Sequence, residues 1–204
     1  VLTAFTAGLL LITISELGDK TFFIAVILAM KHSRKLVFIG VTAALAAMTI
    51  LSVLFGQIVS LLPQTYVKYA EIVLFFAFGM KLLYAASKMS GSSCETEVNE
   101  AKEAVEKAEL QTKVKTPLAI LIEAFTLTFV AEWGDRTQIA TIALAASYNT
   151  VGVAAGAVLG HAICTAIAVI GGKLIAGRIS ERQLTFAGGC LFLIFGIVAA
   201  VEGV

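Results

Sequence analysis

No Asp, Glu, Lys or Arg occurs from Leu36 to Val67, from Thr137 to Gly172, or from Gln183 to Val201. A helix needs about 20 predominantly apolar residues to cross the hydrocarbon core of a bilayer. Each uncharged run therefore supplies at least one span, and the first two are long enough to hold parts of two spans joined by a turn. Charged residues make up only 14% of the 204 residues, whereas soluble domains carry roughly 25%. The chain reads as an all-α integral membrane protein.

The spacing of turns and charges predicts six transmembrane helices. They run from Val1 to about Met30, from Leu36 to about Leu62, from about Tyr66 to Ala86, from Pro117 to Ala146, from Val151 to about Ala176, and from Gln183 to Val201. The first segment has no basic leading region and is too long for the apolar core of a signal peptide, so it reads as a span. Between the third and fourth spans the composition shifts to SGSSCETEVNEAKEAVEKAELQTKVK. This stretch is expected to be a solvated amphipathic connector with a helical portion around residues 95–113, with a weak ion-collecting or regulatory role as the alternative. The predicted organisation is a three-helix unit at 1–88, a charged linker at 89–116, and a second three-helix unit at 117–204.

An internal repeat organises the two units. A shift of 116 residues carries Glu16-Leu17-Gly18-Asp19-Lys20-Thr21 onto Glu132-Trp133-Gly134-Asp135-Arg136-Thr137. It also carries Leu28-Ala29 onto Leu144-Ala145, Gly40 onto Gly156 and Gly56 onto Gly172; one extra residue brings Phe78-Gly79 onto Phe195-Gly196. An odd number of spans per unit makes the second unit enter the membrane from the opposite side. That is the inverted-repeat plan of many secondary transporters, whose substrate sites lie near the midplane. Lys31, Arg34 and Lys35, the lysines of the linker, and Arg178 and Arg182 all fall on one side, against Lys68 on the other. The positive-inside rule then makes the basic loops cytoplasmic or stromal and sends both termini to the opposite compartment.

Each repeat places a Glu and an Asp deep in apolar sequence, where ionised carboxylates are expensive and default to function. Three residues apart, the two acids would share one helix face. Asp19 and Asp135 are the only aspartates in the chain, and both fill this one motif position. Inverted pairing would gather Glu16, Asp19, Glu132 and Asp135 into a four-carboxylate site. Such a cluster cannot stay fully ionised in a dry site without a cation, so it should hold either a divalent metal or protons. Oxygen-only ligands suit hard or intermediate ions such as Ca²⁺, Mn²⁺ or Mg²⁺.

Thr21, Thr137 and Gln138 could add oxygens or hydrogen bonds. Lys20 and Arg136 would point elsewhere on the helix and pair with acids of the opposite repeat, or snorkel. Gly18 and Gly134 would admit a close partner or a local break. Glu123, Gln57, Lys173 and His161 are candidate path residues; Glu71, near Lys68, reads as an interfacial acid. The competing accounts are that the motifs are structural salt-bridge knots in a non-transporting scaffold, that they lie at a membrane edge, or that they line an uncoupled divalent channel. Nothing in the sequence suggests a catalytic site or a bound cofactor. No basic patch with interleaved aromatics suggests nucleic acid. Cys94, Cys164 and Cys190 make no metal signature, and oligomeric state leaves no signal.

The strings SELGDKTFFIAVILAM and TLTFVAEWGDRTQIATIALAA resemble the Gdt family of divalent cation/proton exchangers over essentially the whole chain. The resemblance is tightest to its cyanobacterial thylakoid manganese-exporting branch, with a chloroplast homologue the alternative. It implies two three-helix repeats, each with a Glu-x-Gly-Asp-(Lys/Arg)-(Thr/Ser) motif, and cation binding by Glu16, Asp19, Glu132 and Asp135. It further implies an acid at the Glu123 position. The expected transport is of Mn²⁺, with Ca²⁺ a second candidate, from cytoplasm to thylakoid lumen in exchange for H⁺.

Overall fold

The computed structural model describes residues 1–89, 95–111, 116–175 and 181–203. Those residues form nine helices: α1 (Leu2–Glu16), α2 (Lys20–Lys31), α3 (Arg34–Val59), α4 (Gln64–Lys88), α5 (Glu95–Gln111), α6 (Pro117–Ala131), α7 (Arg136–Ser147), α8 (Thr150–Ile175) and α9 (Glu181–Gly203). Four of them are long and apolar enough to cross a bilayer: α3, α4, the Thr150–Gly171 part of α8, and the Arg182–Val201 part of α9. The pair α6 and α7 qualifies as a fifth span, bent by 75° at its break, while α1 is apolar but short. Large apolar side chains such as Ile50, Leu54 and Phe55 on α3, and Ile194 and Ile197 on α9, face outward, as lipid contact requires. The chain is an all-α, multi-pass membrane protein.

The expected uninterrupted first and fourth helices are corrected. Each is two half-helices, parted at Leu17–Asp19 and at Glu132–Asp135. Thr116 begins the fourth with a side-chain cap to the Ala119 N–H at 3.2 Å, and Pro117 takes the first turn, where its missing N–H costs nothing.

Packing runs mainly between the two halves of the chain. Helix α1 lies along α8, α4 along α9, and α3 against α6, α7 and α8. In lipid, helices associate by close backbone approach at small residues, and the glycines mark the seams. A Cβ on Gly40 would sit 2.8 Å from the Leu121 carbonyl oxygen and 3.4 Å from the Phe125 nitrogen. A Cβ on Gly156 would collide with the Phe5 carbonyl and come within 2.9 Å of the Leu9 nitrogen. These are one contact repeated: the 116-residue shift carries Gly40 onto Gly156, Phe5 onto Leu121 and Leu9 onto Phe125. The aromatic seam of α4 and α9 behaves likewise. Phe75 meets its equivalent Phe192 at 5.9 Å, and the exchanged contacts Phe78–Phe192 and Phe75–Phe195 measure 5.7 and 6.1 Å. In both seams the same contact recurs with its partners exchanged between the two halves of the chain.

Helix α5 departs from the expected solvated connector. It packs on α2 and α6, and its Ala101 and Val105 are fully buried in the cluster formed by α2 and α3, with Val98 packed alongside. These positions make an apolar stripe at helical spacing, and the charged residues flank it.

Replacing Gly156 with Val should force α1 from α8 and destabilise the protein by about 1–3 kcal/mol, the usual range for overpacking. Gly188→Ala, whose added methyl would meet only Leu82 at 3.8 Å, should leave stability unchanged. Thermal unfolding of the two variants in detergent checks the contrast.

Candidate metal centre

The site is built where the helices break. Gly18 and Gly134 have φ of 79° and 82° and are the glycines with positive φ among the described residues, where no other residue adopts it. Side chains disfavour that region and glycine does not. In the first motif α1 ends at Glu16, the Asp19 N–H donates to the Glu16 carbonyl at 3.2 Å, and Asp19 stands at the N-cap of α2. In the second, the Asp135 N–H donates to the Glu132 carbonyl at 3.2 Å, and Asp135 caps α7. The acids therefore do not share a face of one continuous helix, as their spacing suggested. A glycine-centred turn brings each pair together, with Glu closing one half-helix and Asp opening the next.

Carboxylate oxygens of Glu16, Asp19 and Glu132 can all lie within 4.8 Å of one another. Both halves of the chain thus contribute to one group of three acids. Glu16 and Glu132 are 2% and 3% exposed, and Oε1 of each is buried without a hydrogen-bond partner. Leaving such a group unpaired costs about 1–3 kcal/mol, which a bound cation would repay. The hydroxyls of the repeat cross over: Glu16 faces Thr137, and Glu132 faces Thr21. Thr21 also donates to Glu16 Oε2 at 3.2 Å.

Asp19 and Asp135 are not used alike. Arg136 Nη2 donates to Asp19 Oδ1 at 2.9 Å and to the Ser15 carbonyl at 3.2 Å, a bridge between the halves. Asp135 Oδ2 instead accepts from the Thr137 hydroxyl at 3.0 Å and the Thr137 N–H at 3.4 Å, outside the group of three. Lys20 does not pair with an acid of the opposite repeat. It reaches Glu100 of α5 at 3.2 Å.

Two small cavities of about 10 Å³ flank the acids. Beside Glu16 lie Thr21, Phe22, Ala25, Leu45, Cys164 and Thr165. Beside Glu132 lie Thr137, Gln138, Thr141, His161, Met48 and Thr49. Apart from Val41 in the first wall and Ser52 in the second, these walls are equivalent under the 116-residue shift, yet Phe22, Ala25 and Leu45 are replaced by Gln138, Thr141 and His161. The second wall is therefore the polar one. Gln138 accepts from the Gly134 N–H at 2.7 Å, bracing the turn. A larger cavity of about 130 Å³ lies where α4 leads toward α5 and α9 begins, and Ser15, Asp19, Arg136, Glu97, Met89 and Thr185 line it.

The remaining candidates divide. His161 is buried against the Glu132 cavity. Glu123 is buried in α6, about 13 Å along the helix from Glu132 at 1.5 Å per residue. Gln57 is exposed and lines neither cavity. Glu71 is buried, and the side chain of Lys173 and Cys94 fall outside the described residues. Sequence reasoning missed Thr49 and Thr165, whose hydroxyls donate to the Leu45 and His161 carbonyls at 2.9 and 2.8 Å. The signal was available, since the repeat shift superposes the two threonines and their acceptors. It also missed Ser15 and Glu97, for which no repeat signal exists.

The profile described as "Divalent cation/proton antiporter GDT1" matches residues 4–90 and 120–204, so both motifs lie inside it. The chain belongs to the GDT1 family of divalent cation/proton antiporters. It is 59% identical over 199 residues to a GDT1-like protein of Synechocystis sp., covering 97% of each chain. It is 45% identical to GDT1-like protein 3 of Oryza sativa subsp. indica, covering 95% of this chain and 72% of that one. With the chloroplastic PAM71-homolog of Arabidopsis thaliana it shares 42% identity over 95% of this chain and 58% of that one. No solved structure matches it. As a member of this GDT1 family, the protein is a secondary transporter and not an enzyme.

Arg136→Gln should destabilise the cation-free protein by about 1–3 kcal/mol, because it removes the guanidinium held against Asp19 beside the buried glutamates. Lys20→Gln should cost less than about 1 kcal/mol, since the Lys20–Glu100 side chains are 34% and 53% exposed and exposed pairs contribute little. Thermal unfolding in chelator-treated detergent solution checks that order.

Proposed function

We propose that the chain exchanges Mn²⁺ for H⁺ through a site made of Glu16, Asp19, Glu132 and Asp135, with Ca²⁺ as the alternative cargo. The observation that carries this reading is the buried group of Glu16, Asp19 and Glu132, drawn from both halves and holding two unpartnered oxygens. Three carboxylate oxygens with nearby threonine hydroxyls form a hard donor set, suited to Mn²⁺ or Ca²⁺ rather than to thiolate-seeking ions. Without metal, the same oxygens are places for protons. Mutual exclusion of the two cargoes is the physical minimum for antiport.

In this reading the chain has six spans in two inverted three-helix repeats, with α1–α2 and α6–α7 as the broken first member of each. Discontinuous helices at a repeat interface are a common way to build transporter sites. Asp19 and Asp135 exchange places during alternating access. In the present arrangement Asp19 joins the glutamates and borders the 130 Å³ cavity, while Asp135 caps α7. The cavity lies at the end carrying the basic loops, which the charge bias makes cytoplasmic. Glu132, Gln138, Thr141 and His161 offer the polar route toward the other side, and Thr21 and Thr137 support the acids. The relatives in Synechocystis and in chloroplasts favour a thylakoid-type membrane, with metal delivered to the lumen.

Protein reconstituted in liposomes with an acidic lumen should take up Mn²⁺ and alkalinise the lumen in step, as protons leave in exchange. Glu16→Gln, Asp19→Asn and Glu132→Gln should each lower that flux by about 100-fold or more, because even the loss of an outer-shell partner costs about 10–100-fold. Asp135→Asn should lower it too, although Asp135 lies outside the present cluster. Flux indifferent to the pH gradient would mark an uncoupled pathway, and unchanged flux in all four variants would end the reading.

A further inference from the structure

The cation site is already occupied by a cation of the protein's own. Arg136 holds Asp19 at 2.9 Å, and Asp19 is one of the three acids that converge. A divalent ion that draws on all three competes with the guanidinium for the charge of Asp19, whose Oδ1 Arg136 now holds, and a released guanidinium needs another anion. Four acids act on Arg136: Asp19, Asp135, Glu16 and Glu97. Glu16 and Asp19 belong to the metal group, and Asp135 is engaged by Thr137 at the cap of α7. Glu97 remains. It projects from α5 into the 130 Å³ cavity that Asp19 and Arg136 also line, and its charge acts on both. The guanidinium is only partly committed, because its Nε is buried without a hydrogen-bond partner.

We propose that Arg136 is a tethered counter-ion that leaves Asp19 when metal binds and is received by Glu97, which makes Glu97 a positioning residue for cation loading. The proposal rests on the reading of the acid group as a divalent cation site. Helix α5 is fit for the role because it is docked rather than trailing. Ala101 and Val105 anchor it in the core, and the Glu100–Lys20 pair ties it to the first turn of α2. Glu97 is thus held at the cavity wall by packing one turn away. A guanidinium moves between two fixed carboxylates at low cost, since each offers it the same charge-assisted hydrogen bonds.

Mn²⁺ binding to the purified full chain in nanodiscs, followed by loss of the free-ion paramagnetic resonance signal at fixed pH and 0.15 M salt, tests this. Glu97→Gln should weaken binding about tenfold, and Glu97→Asp should restore most of it. Arg136→Gln should bind Mn²⁺ more tightly than wild type, since the internal competitor is gone. In the Arg136→Gln background, Glu97→Gln should then change affinity less than twofold. A tenfold loss that persists in that background would make Glu97 a mere attractor of cations and overturn the proposal. Equal losses in Glu97→Gln and Glu97→Asp would assign the effect to α5 packing and overturn it as well. In liposomes, Glu97→Gln should raise KM for Mn²⁺ supplied from the α5 side and leave kcat within about twofold. Absence of Mn²⁺ binding in wild type would instead remove the site reading itself.

Discussion

Two glutamates buried in the interior of a membrane bundle, each with an oxygen that no protein group satisfies, set the terms for this structure. Such groups persist only where the surrounding fold over-determines them. Here the surroundings do so by breaking two helices at glycines with left-handed backbone and by placing an aspartate at the N-cap position of each restarted helix. Each break gathers two acids within one turn of chain. A continuous helix would have spread them along a face and given them helix backbone for neighbours.

Contacts repeated between the two halves of the chain supply the rest of the geometry. Equivalent backbone bonds recur at both motifs, the glycine seams repeat with their partners exchanged, and the two small cavities are lined by equivalent positions. What breaks the repetition is chemically specific. Arg136 crosses to Asp19 while Lys20 turns outward to α5, and three apolar positions beside Glu16 become Gln138, Thr141 and His161 beside Glu132. A transporter with perfectly equivalent halves would present the same face in both directions. Under the exchange reading, these substitutions would give the two sides different barriers and different polar routes.

Much of this was legible in the sequence, and the parts that were not share a cause. The repeat, the acidic motifs and the membrane class follow from spacing and from the absence of charge, which are properties of one dimension. The partner of Arg136 does not, because two acids and a carbonyl compete for a guanidinium and only tertiary placement decides. The spacing of Glu16 and Asp19 suggested a shared helix face because a glycine inside an apolar run tolerates either a helix or a break. The docking of helix α5 was not legible for a related reason: its stripe of Val98, Ala101 and Val105 is short of bulk and masked by surrounding charge, so its burial depends on α2 offering a complementary surface. Thr49 and Thr165 lay within reach of the same repeat analysis that found the motifs.

The charge balance of the site bears on how exchange could work in a low-dielectric interior. Glu16, Asp19 and Glu132 with Arg136 sum to −2 when all are ionised, the three acids and one base of the cluster being the groups counted. Lys20 and Asp135 drop out together, one paired on α5 and the other at the cap of α7, so the balance is the same as for both complete motifs. One divalent ion or two protons would neutralise it equally. Loaded forms of equal charge face similar desolvation penalties when the site closes to water, whereas the empty site, with two uncompensated charges, faces a much larger one. Under the exchange reading that difference alone disfavours closure of the unloaded site, and coupling needs no further device: the barrier to an empty crossing is the price of burying bare carboxylates.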